Sequence, residues 1–322
     1  MDGISRVAFT VFGMDIYWYA VIIVTGMILG CLVAAHLVKN RGMDPEIILD
    51  LMIWLLPISI LGARAYYVVF EFDSSWSFAD IFAIRDGGLA IYGGVIAGFI
   101  VAVIFAKKRK FTKYQMLNLL DCLVVGLILG QAIGRWGNFF NQEAHGGLIT
   151  NTALQFFPMG VLINGNWYLA TFFYEFTANI IGFALLFVLN KKFVKSRGFI
   201  TCGYFIWYGT ARMFIEGLRT DSLYFLKETI GEVIRVSQVL SGLMVIGGIA
   251  FAIFLYKNGF FTAGDKQIAT DGDVALEAEK TEETAQETET AEETQETEVT
   301  AETQVTEETE VTAEAEKAEI TN

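Results

Sequence analysis

The chain is poor in the side chains that usually carry metal and redox chemistry. Its 322 residues include three cysteines and two histidines. Cys31, Cys122 and Cys202 lie far apart, each inside an apolar run and without CxxC spacing, so we interpret them as packed thiols. The sequence offers no cluster of ligand residues, and neither a metal nor a cofactor is expected.

Aromatic residues are missing from the last part of the chain. Residues 263–322 contain no aromatic residue, and they hold 20 acidic residues against three lysines in repeats such as TEETAQETETAEETQETEVT. A segment of this composition cannot bury enough apolar surface to offset its chain entropy. We therefore predict a disordered acidic tail, and a docking role for it stays open.

The rest of the chain, residues 1–262, is basic and strongly apolar. Runs of roughly 20 residues, enough to cross a hydrocarbon core, lie near 16–38, 47–70, 88–106, 116–134, 168–190, 198–216 and 236–256. The sequence predicts an all-α polytopic membrane protein with about seven transmembrane helices in one domain. A cleaved signal peptide is not expected, because the start MDGISR is not basic and the first run is too long.

Lysine and arginine collect in alternate loops, at 38–46, 107–115 and 191–197. The positive-inside rule places these loops and the acidic tail in the cytoplasm and the amino terminus outside. Since topology explains these short basic runs, no nucleic-acid partner is expected.

Charged and polar residues interrupt the spans near their ends. A charge inside a span is costly, and function is therefore the default hypothesis for it. With the predicted orientation, all of these residues fall in the outer half of the membrane, as a single polar chamber near the outer leaflet would require. The candidates are Tyr19, Arg64, Tyr92, Arg135, Asn138, Asn141, Glu143, Glu175, Arg212, Glu216 and Arg219.

Structural explanations compete with functional ones at some of these positions. Arg212, Glu216 and Arg219 follow i, i+4, i+7 spacing on one predicted helix face, so an internal ion pair could hold the bundle together. Glu175 is open to the same structural explanation. Arg135 has no obvious partner one turn away in its own span, which favours a functional role.

The glycines near the third span permit two explanations. The spacing of Gly94 and Gly98 indicates close helix packing. The pair Gly87–Gly88 lies at the membrane edge and is more typical of a backbone turn.

Residues 130–147, GQAIGRWGNFFNQEAHGG, resemble the signature of the prolipoprotein diacylglyceryl transferase family, G-R-x-G-N-F-x-N-x-E-x-x-G. The resemblance covers approximately residues 10–256, through YWYA, GARAYYVVF, DGGLAIYGG, FYE, YGTARMFIEGLRTD and SQVLS in that order. The acidic tail lies outside it. The signature positions that match are Gly134, Arg135, Gly137, Asn138, Phe139, Asn141, Glu143 and Gly146.

The resemblance implies an enzyme of the bacterial cytoplasmic membrane, expected as a monomer and surrounded by membrane lipids. Such an enzyme transfers the diacylglyceryl group of phosphatidylglycerol to the lipobox cysteine in the signal peptide of a prolipoprotein. The products are a thioether and glycerol phosphate. Arginine suits this chemistry, because it binds phosphate bidentately and a departing phosphate needs charge stabilisation.

The resemblance also implies roles for individual residues. Arg135 and Arg212 would bind the phosphate, with Tyr92 and Glu143 as further catalytic residues. The remaining positions would contact the headgroup or the lipid, or orient the arginines, and Arg64 and Arg219 match family positions without an assigned role. This substrate-binding set is Tyr19, Arg64, Gly88, Asn138, Asn141, Gly146, Glu216 and Arg219.

The chain departs from the family pattern at two places. The third span has Tyr92 where the family usually has a histidine, and Leu169–Ala170 replaces a His-Pro pair. A free tyrosine titrates near pH 10 and is a poor base, so Tyr92 could instead hydrogen-bond the phosphate. The thiol proton would then pass to water, to Glu143 or to His145.

Two alternatives follow from these departures and from the intramembrane charges. One is a divergent or inactive homologue. The other is a small-solute membrane transporter, although a transporter should place its polar residues near the midplane.

Overall fold

The computed structural model describes residues 5–71, 76–83, 87–220 and 235–261. The predicted disordered tail and its boundary after residue 262 lie outside the described residues and stay predictions. The helices are α1 Trp18–Asn40, α2 Glu46–Phe70, the short α3 Phe78–Ile81, α4 Ile91–Lys108, α5 Lys113–Asn141, α6 Thr171–Lys192, α7 Phe199–Glu216 and α8 Val236–Lys257.

Two small antiparallel hairpins accompany the helices. Strands β1 Val7–Val11 and β2 Met14–Tyr17 precede α1, and strands β3 Gly160–Ile163 and β4 Asn166–Leu169 precede α6. Outside these hairpins, the long elements in the described part of the chain are helices, so the all-α prediction is confirmed.

Six of the helices, α1, α2, α4, α5, α6 and α8, are long and apolar enough to cross a membrane. Helix α7 has 18 residues and carries Arg212 and Glu216 in its last two turns, and these charges lower its hydropathy. The prediction of a multi-pass membrane protein is confirmed. Which end of the chain faces the cytoplasm stays a prediction.

Close contacts show that neighbouring helices run antiparallel. The ring of Tyr19, at the start of α1, lies over Gly137 near the end of α5, and Gly26 lies opposite Gly130. Contacts of the same kind show that α2 and α4, α5 and α6, α6 and α7, and α7 and α8 also run antiparallel. The ends of α2, α5 and α7 and the starts of α1, α4, α6 and α8 therefore lie at one membrane face, called here the site face.

Helices α1 and α5 approach each other closely through glycine. A Cβ built on Gly30 would lie 2.6 Å from the Gly126 carbonyl oxygen, and one on Gly126 would lie 2.2 Å from the Gly30 oxygen. In lipid, helices associate largely through such close packing, since the tails are as apolar as the side chains. This contact sets how α1 presents Tyr19 to the end of α5.

A larger residue in this contact is expected to destabilise the bundle. Gly126→Leu should cost about 1–3 kcal/mol of folding free energy, because overpacking forces the two backbones apart. The thermal midpoint of the purified protein in detergent measures the loss. Gly247→Leu is the matched control, since a Cβ at that helical glycine meets nothing within 4 Å; an equal loss in both variants would contradict the packing role.

Helices α2 and α4 pack through a second set of small residues. A Cβ on Gly93 would lie 2.3 Å from the Gly62 carbonyl oxygen, and one on Gly98 would lie 2.9 Å from the Ser59 hydroxyl oxygen. A Cβ on Gly94 would lie 3.3 Å from the Ser59 carbonyl oxygen. The predicted packing role of Gly94 and Gly98 is confirmed.

A buried polar network joins α1, α5, α6 and α7 at the face opposite the site. Asp121 is fully buried and accepts hydrogen bonds from the Thr201 N–H at 2.8 Å and hydroxyl at 2.7 Å. Arg41 donates to Asn118 at 2.7 Å and to Asn190 at 3.2 Å, and its Nη1 lies 3.3 Å from Asp121 Oδ2. The sequence predicted Arg41 only as a loop charge and did not single out Asp121.

Candidate functional site between α5, α6 and α7

The signature segment forms the end of α5 and the turn that follows it. Gln142 and Ala144 take left-handed backbone conformations, with φ of 56° and 57°, so the chain reverses as the helix ends. The reversal brings the Glu143 carboxylate back to the helix. There it accepts hydrogen bonds from the side-chain amides of Asn138 at 3.0 Å and Asn141 at 3.2 Å.

Arg135 lies one turn before Asn138 on the same face of α5. Its Nη1 donates to Asn138 Oδ1 at 3.3 Å, and its Nη2 lies 3.1 Å from Oε1 of Glu175 on α6. Asn138 thus links Arg135 to Glu143. No partner for Arg135 could be recognised in its own span, because Glu175 comes from another helix.

Glu175 bridges the two arginines that the sequence singled out. Its Oε2 accepts from Nη1 of Arg212 at 2.9 Å, while Oε1 faces Arg135. Arg212 also places Nη2 at 2.8 Å from Oε2 of Glu216, four residues on along α7. The ion pair that the i, i+4 spacing allowed is present, and Arg135 and Arg212 belong to one cluster.

The prediction that Arg219 shares the helix face of Arg212 and Glu216 is wrong. Helix α7 ends at Glu216, and Arg219 lies in the turn beyond it. There the backbone of Arg219 forms an isolated β-bridge with Gly146 of the signature segment. The residues after Glu216 tighten into a 3₁₀-type turn, in which the Arg219 N–H donates to the Glu216 carbonyl oxygen at 3.2 Å.

The cluster exposes its cations and buries its carboxylates. The side chains of Arg135 and Arg212 are 21% and 16% exposed, whereas those of Glu175 and Glu216 are 3% and 2% exposed. Within the described part of the chain, the buried Nε of Arg135 has no hydrogen-bond partner. An anion that reached this cluster would meet the guanidinium groups before the carboxylates.

Two tyrosines of α7 that the sequence analysis missed lie below the cluster. Tyr208 neighbours Glu175 and Arg135, and its ring stacks on that of Tyr204 at 5.5 Å between centroids. The Tyr204 hydroxyl accepts from the Gln131 amide of α5 at 2.9 Å. The signal was available, because residues 204, 208, 212 and 216 repeat every four positions and share one helix face.

Gly146 packs closely against the segments before α6 and after α7. Its N–H donates to the Leu169 carbonyl at 2.9 Å. A Cβ there would lie 2.7 Å from both the Leu169 Cβ and the Leu218 carbonyl oxygen and 2.9 Å from Thr171 Cγ2. Only glycine fits this approach, so Gly146 is a positioning residue for the turn that carries Glu143.

A small cavity lies beside the same turn. Its volume is about 10 Å³, the space of one water molecule, and its lining includes Asn138, Glu143 and His145. The His145 ring lies 4.5 Å from that of Tyr168, and its Nδ1 is 3.2 Å from the Gly146 carbonyl oxygen. Both candidate bases, Glu143 and His145, therefore border one pocket next to the arginines.

Arg64 lies at the site face but is bound to the loop that follows α2. It donates to the carbonyl oxygens of Asp80, of Ile81 at 3.0 Å, of Gly87 at 2.9 Å and of Gly88 at 3.0 Å. These bonds occupy four of its five donors. Among the described residues, no contact joins Arg64 to the arginine cluster, and its visible role is to hold the loop.

The loop itself depends on glycine. Gly87 and Gly88 have φ of 91° and 67°, which confirms the predicted turn. A Cβ on Gly88 would lie 2.4 Å from Arg64 Nη1 and 2.5 Å from the Tyr67 ring.

Nearby, the Ser77 hydroxyl and backbone N–H donate to the Asp80 carboxylate. These hydrogen bonds hold the pKa of Asp80 below its usual range.

Tyr92 lies in the first turn of α4, and its ring is 6.3 Å from that of Tyr66 on α2. Its hydroxyl has no hydrogen-bond partner among the described residues. The structure places Tyr92 at the site face, as it does Tyr19, but brings neither into a hydrogen bond with the arginines within the described ranges.

The described side chains define a class of membrane protein. A multi-pass helical membrane protein holds two partly accessible arginines over buried carboxylates at one membrane face. Arginine pairs of this kind bind phosphate and carboxylate groups.

Comparison with known proteins gives the family. Residues 6–254 match the family model of prolipoprotein diacylglyceryl transferase. The chain is 44% identical over 263 residues to the phosphatidylglycerol–prolipoprotein diacylglyceryl transferase of Finegoldia magna, covering 81% of this chain and all of that protein. It is 41% identical over 260 residues to the corresponding transferase 1 of Clostridium perfringens, covering 79% of this chain and 96% of that protein. The chain belongs to the prolipoprotein diacylglyceryl transferase family.

Proposed function

We propose that the protein transfers the diacylglyceryl group of phosphatidylglycerol to the lipobox cysteine of bacterial prolipoproteins. The observation that carries the proposal is the pair of accessible guanidinium groups, Arg135 and Arg212, held together by the buried carboxylate of Glu175. Two guanidinium groups so placed can bind a phosphate from two sides.

In the proposed reaction, the cysteine sulfur attacks the glycerol carbon that carries the phosphate. The new S–C bond replaces the C–O bond, and glycerol phosphate leaves with the electron pair. Arg135 and Arg212 stabilise the negative charge that develops on the leaving group. The thiol proton passes to Glu143, to His145 or through the water-sized pocket between them.

We further propose that the site face is directed to the outer leaflet of the cytoplasmic membrane. This orientation is supported by the basic loops at 38–46, 107–115 and 191–197, which all lie at the opposite face. A secreted precursor would then reach the site from the outside, while the protein works as a monomer.

The position of the arginine cluster near one membrane face also argues against the transporter alternative. A transporter should place its substrate site near the membrane midplane. Here the arginine cluster lies at the ends of α5 and α7 and the start of α6. Identity above 40% with named transferases over most of the chain also supports an active enzyme over a divergent one.

The direct test is a transfer assay with the purified full-length protein. Phosphatidylglycerol radiolabelled in the glycerol carbons of its diacylglyceryl group and a lipobox peptide are expected to give a labelled peptide. The peptide should keep this label after hydroxylamine treatment, because hydroxylamine cleaves the acyl esters but not the thioether. A peptide with serine in place of the lipobox cysteine should remain unlabelled. Absence of label on the cysteine peptide, together with failure to lipidate a reporter in cells depleted of their own enzyme, would refute the proposal.

Tyr92→Phe tests the residue that departs from the family pattern. We propose that the Tyr92 hydroxyl donates to the phosphate, and its loss is expected to lower kcat roughly 10- to 100-fold, the effect of removing one hydrogen bond to a charged group. Tyr66→Phe is the matched control on the neighbouring ring. If both variants transfer lipid at the wild-type rate, the Tyr92 hydroxyl is dispensable.

A further inference from the structure

A second polar feature lies at the membrane face opposite the arginine cluster. Helices α2 and α4 leave a cleft of about 320 Å³ between them. Asp50, Ile53 and Trp54 line one wall from α2. The other wall comes from α4 and is formed by residues with the same i, i+3, i+4 spacing, namely Phe105, Lys108 and Arg109.

The cleft is cationic at its rim and apolar on its walls. Lys108 and Arg109 are exposed, and Lys107 and Lys113 add charge on the same loop. Asp50 forms an ion pair with Arg109, in which the two side chains remain 41% and 50% exposed. The guanidinium carbon also lies 5.6 Å from the centre of the Phe105 ring. These contacts orient Arg109 and leave part of its fork of donors accessible.

The apolar wall belongs to the membrane boundary. Trp54 is 62% exposed and Ile53 is 57% exposed, although both lie one to two turns inside a helix that is long and apolar enough to span a membrane. Tryptophan is enriched at the level of the lipid headgroups. An occupant of the cleft would thus meet cations at its polar end and aromatic surface along its apolar part.

We propose that this cleft binds the headgroup of an anionic phospholipid from the leaflet at that face. Basic pockets between membrane helices bind lipid headgroups of this charge, and the net positive charge of the 107–113 loop complements it. The site is separate from the arginine cluster, which lies at the opposite membrane face on α5, α6 and α7. Its occupancy does not require transfer activity.

The occupant is a lipid and not a free anion. A soluble phosphate would use only the rim cations, one of which Asp50 already neutralises in part. A phospholipid also covers Ile53, Trp54 and Phe105 with its glycerol and acyl chains. The apolar wall therefore adds affinity for the lipid that inorganic phosphate cannot gain.

Native mass spectrometry of the full-length protein in detergent tests the proposal, with phosphatidylserine and phosphatidylcholine as probes. The double variant Lys108→Gln/Arg109→Gln is compared with Lys191→Gln/Lys192→Gln, two exposed cations at the same face but outside the cleft. The cleft variant is expected to bind phosphatidylserine about tenfold more weakly than wild type, since each cation near a headgroup contributes to binding. The control variant and phosphatidylcholine binding should not change.

A second variant separates lipid binding from simple charge attraction. Trp54→Ala is expected to weaken phosphatidylserine binding severalfold while leaving all cations in place. Equal loss in the cleft and control variants would show diffuse surface attraction and overturn the proposal. So would unchanged binding in Lys108→Gln/Arg109→Gln, or displacement of the lipid by inorganic phosphate at matched ionic strength. All of these variants keep the arginine cluster. Any anionic lipid bound there therefore contributes equally to each measurement and does not affect the difference between variants.

Discussion

Arg135→Ala is expected to lower the rate of diacylglyceryl transfer by about 100- to 1000-fold, the effect of removing one donor that stabilises developing charge. Arg135→Lys should recover little of this loss, because an ammonium group cannot reproduce a bidentate fork. The measurement is kcat and KM in the radiolabelled phosphatidylglycerol assay. A loss confined to KM would mean that Arg135 binds the lipid without assisting the departure of the phosphate.

Arg135 is the better of the two arginines for this test because its removal is expected to leave the fold intact. Glu175 would keep Arg212 as its partner at 2.9 Å, so no buried carboxylate loses all of its counter-charge. The thermal midpoint should therefore remain close to wild type. Lys191→Ala, at the opposite face, serves as the matched removal of a cation, and full activity of Arg135→Ala would contradict the proposed role.

Asp121→Ala is expected to cost about 3–5 kcal/mol of folding free energy, the range for breaking a buried ion pair. The change leaves Arg41, 7% exposed, without its anion. It also removes the acceptor for the N–H groups of Gly198 and Thr201, both at 2.8 Å. The measurement is the denaturant or thermal midpoint of the purified protein in detergent.

The matched control is the other aspartate–arginine pair at the same face. Asp50→Ala breaks the pair with Arg109, whose side chains are about half exposed, and should change stability by less than about 1 kcal/mol. If the two aspartate variants lose equal stability, burial does not set the strength of the Asp121 network. Asp121 acts on folding, so the folded fraction of its variant should keep its transfer rate per molecule.

The fold was predictable from the sequence because hydropathy reports directly on membrane crossing. Apart from α5, the long helices begin and end within about three residues of the predicted spans, and the glycines of α4 pack as their spacing indicated. Helix α5 continues to Asn141, beyond the predicted end at 134, because the polar signature residues lower the hydropathy but remain helical. The position of Arg219 was not predictable from periodicity alone. The charged face of α7 continues to Arg219 in the sequence, but the helix ends at Glu216 and the backbone of Arg219 pairs with Gly146.

The sequence predicted which residues belong to the site, but it did not predict which of them form ion pairs with each other. A lone charge in a span reveals that it needs a partner, but it does not reveal which helix supplies that partner. The sequence therefore left Glu175 open between a structural and a functional role, and only the fold places it between Arg135 and Arg212. For the same reason Arg41 and Asp121, 80 residues apart, were not recognised as a pair.

The carboxylates behind the arginines bear on how quickly the enzyme could release glycerol phosphate. Glu175 and Glu216 already accept from Arg212. These ion pairs can form again when a bound anion departs. Two fully unpaired guanidinium groups would hold a dianionic product tightly and slow each cycle. An internal competitor keeps the affinity for the product moderate, and so favours repeated turnover.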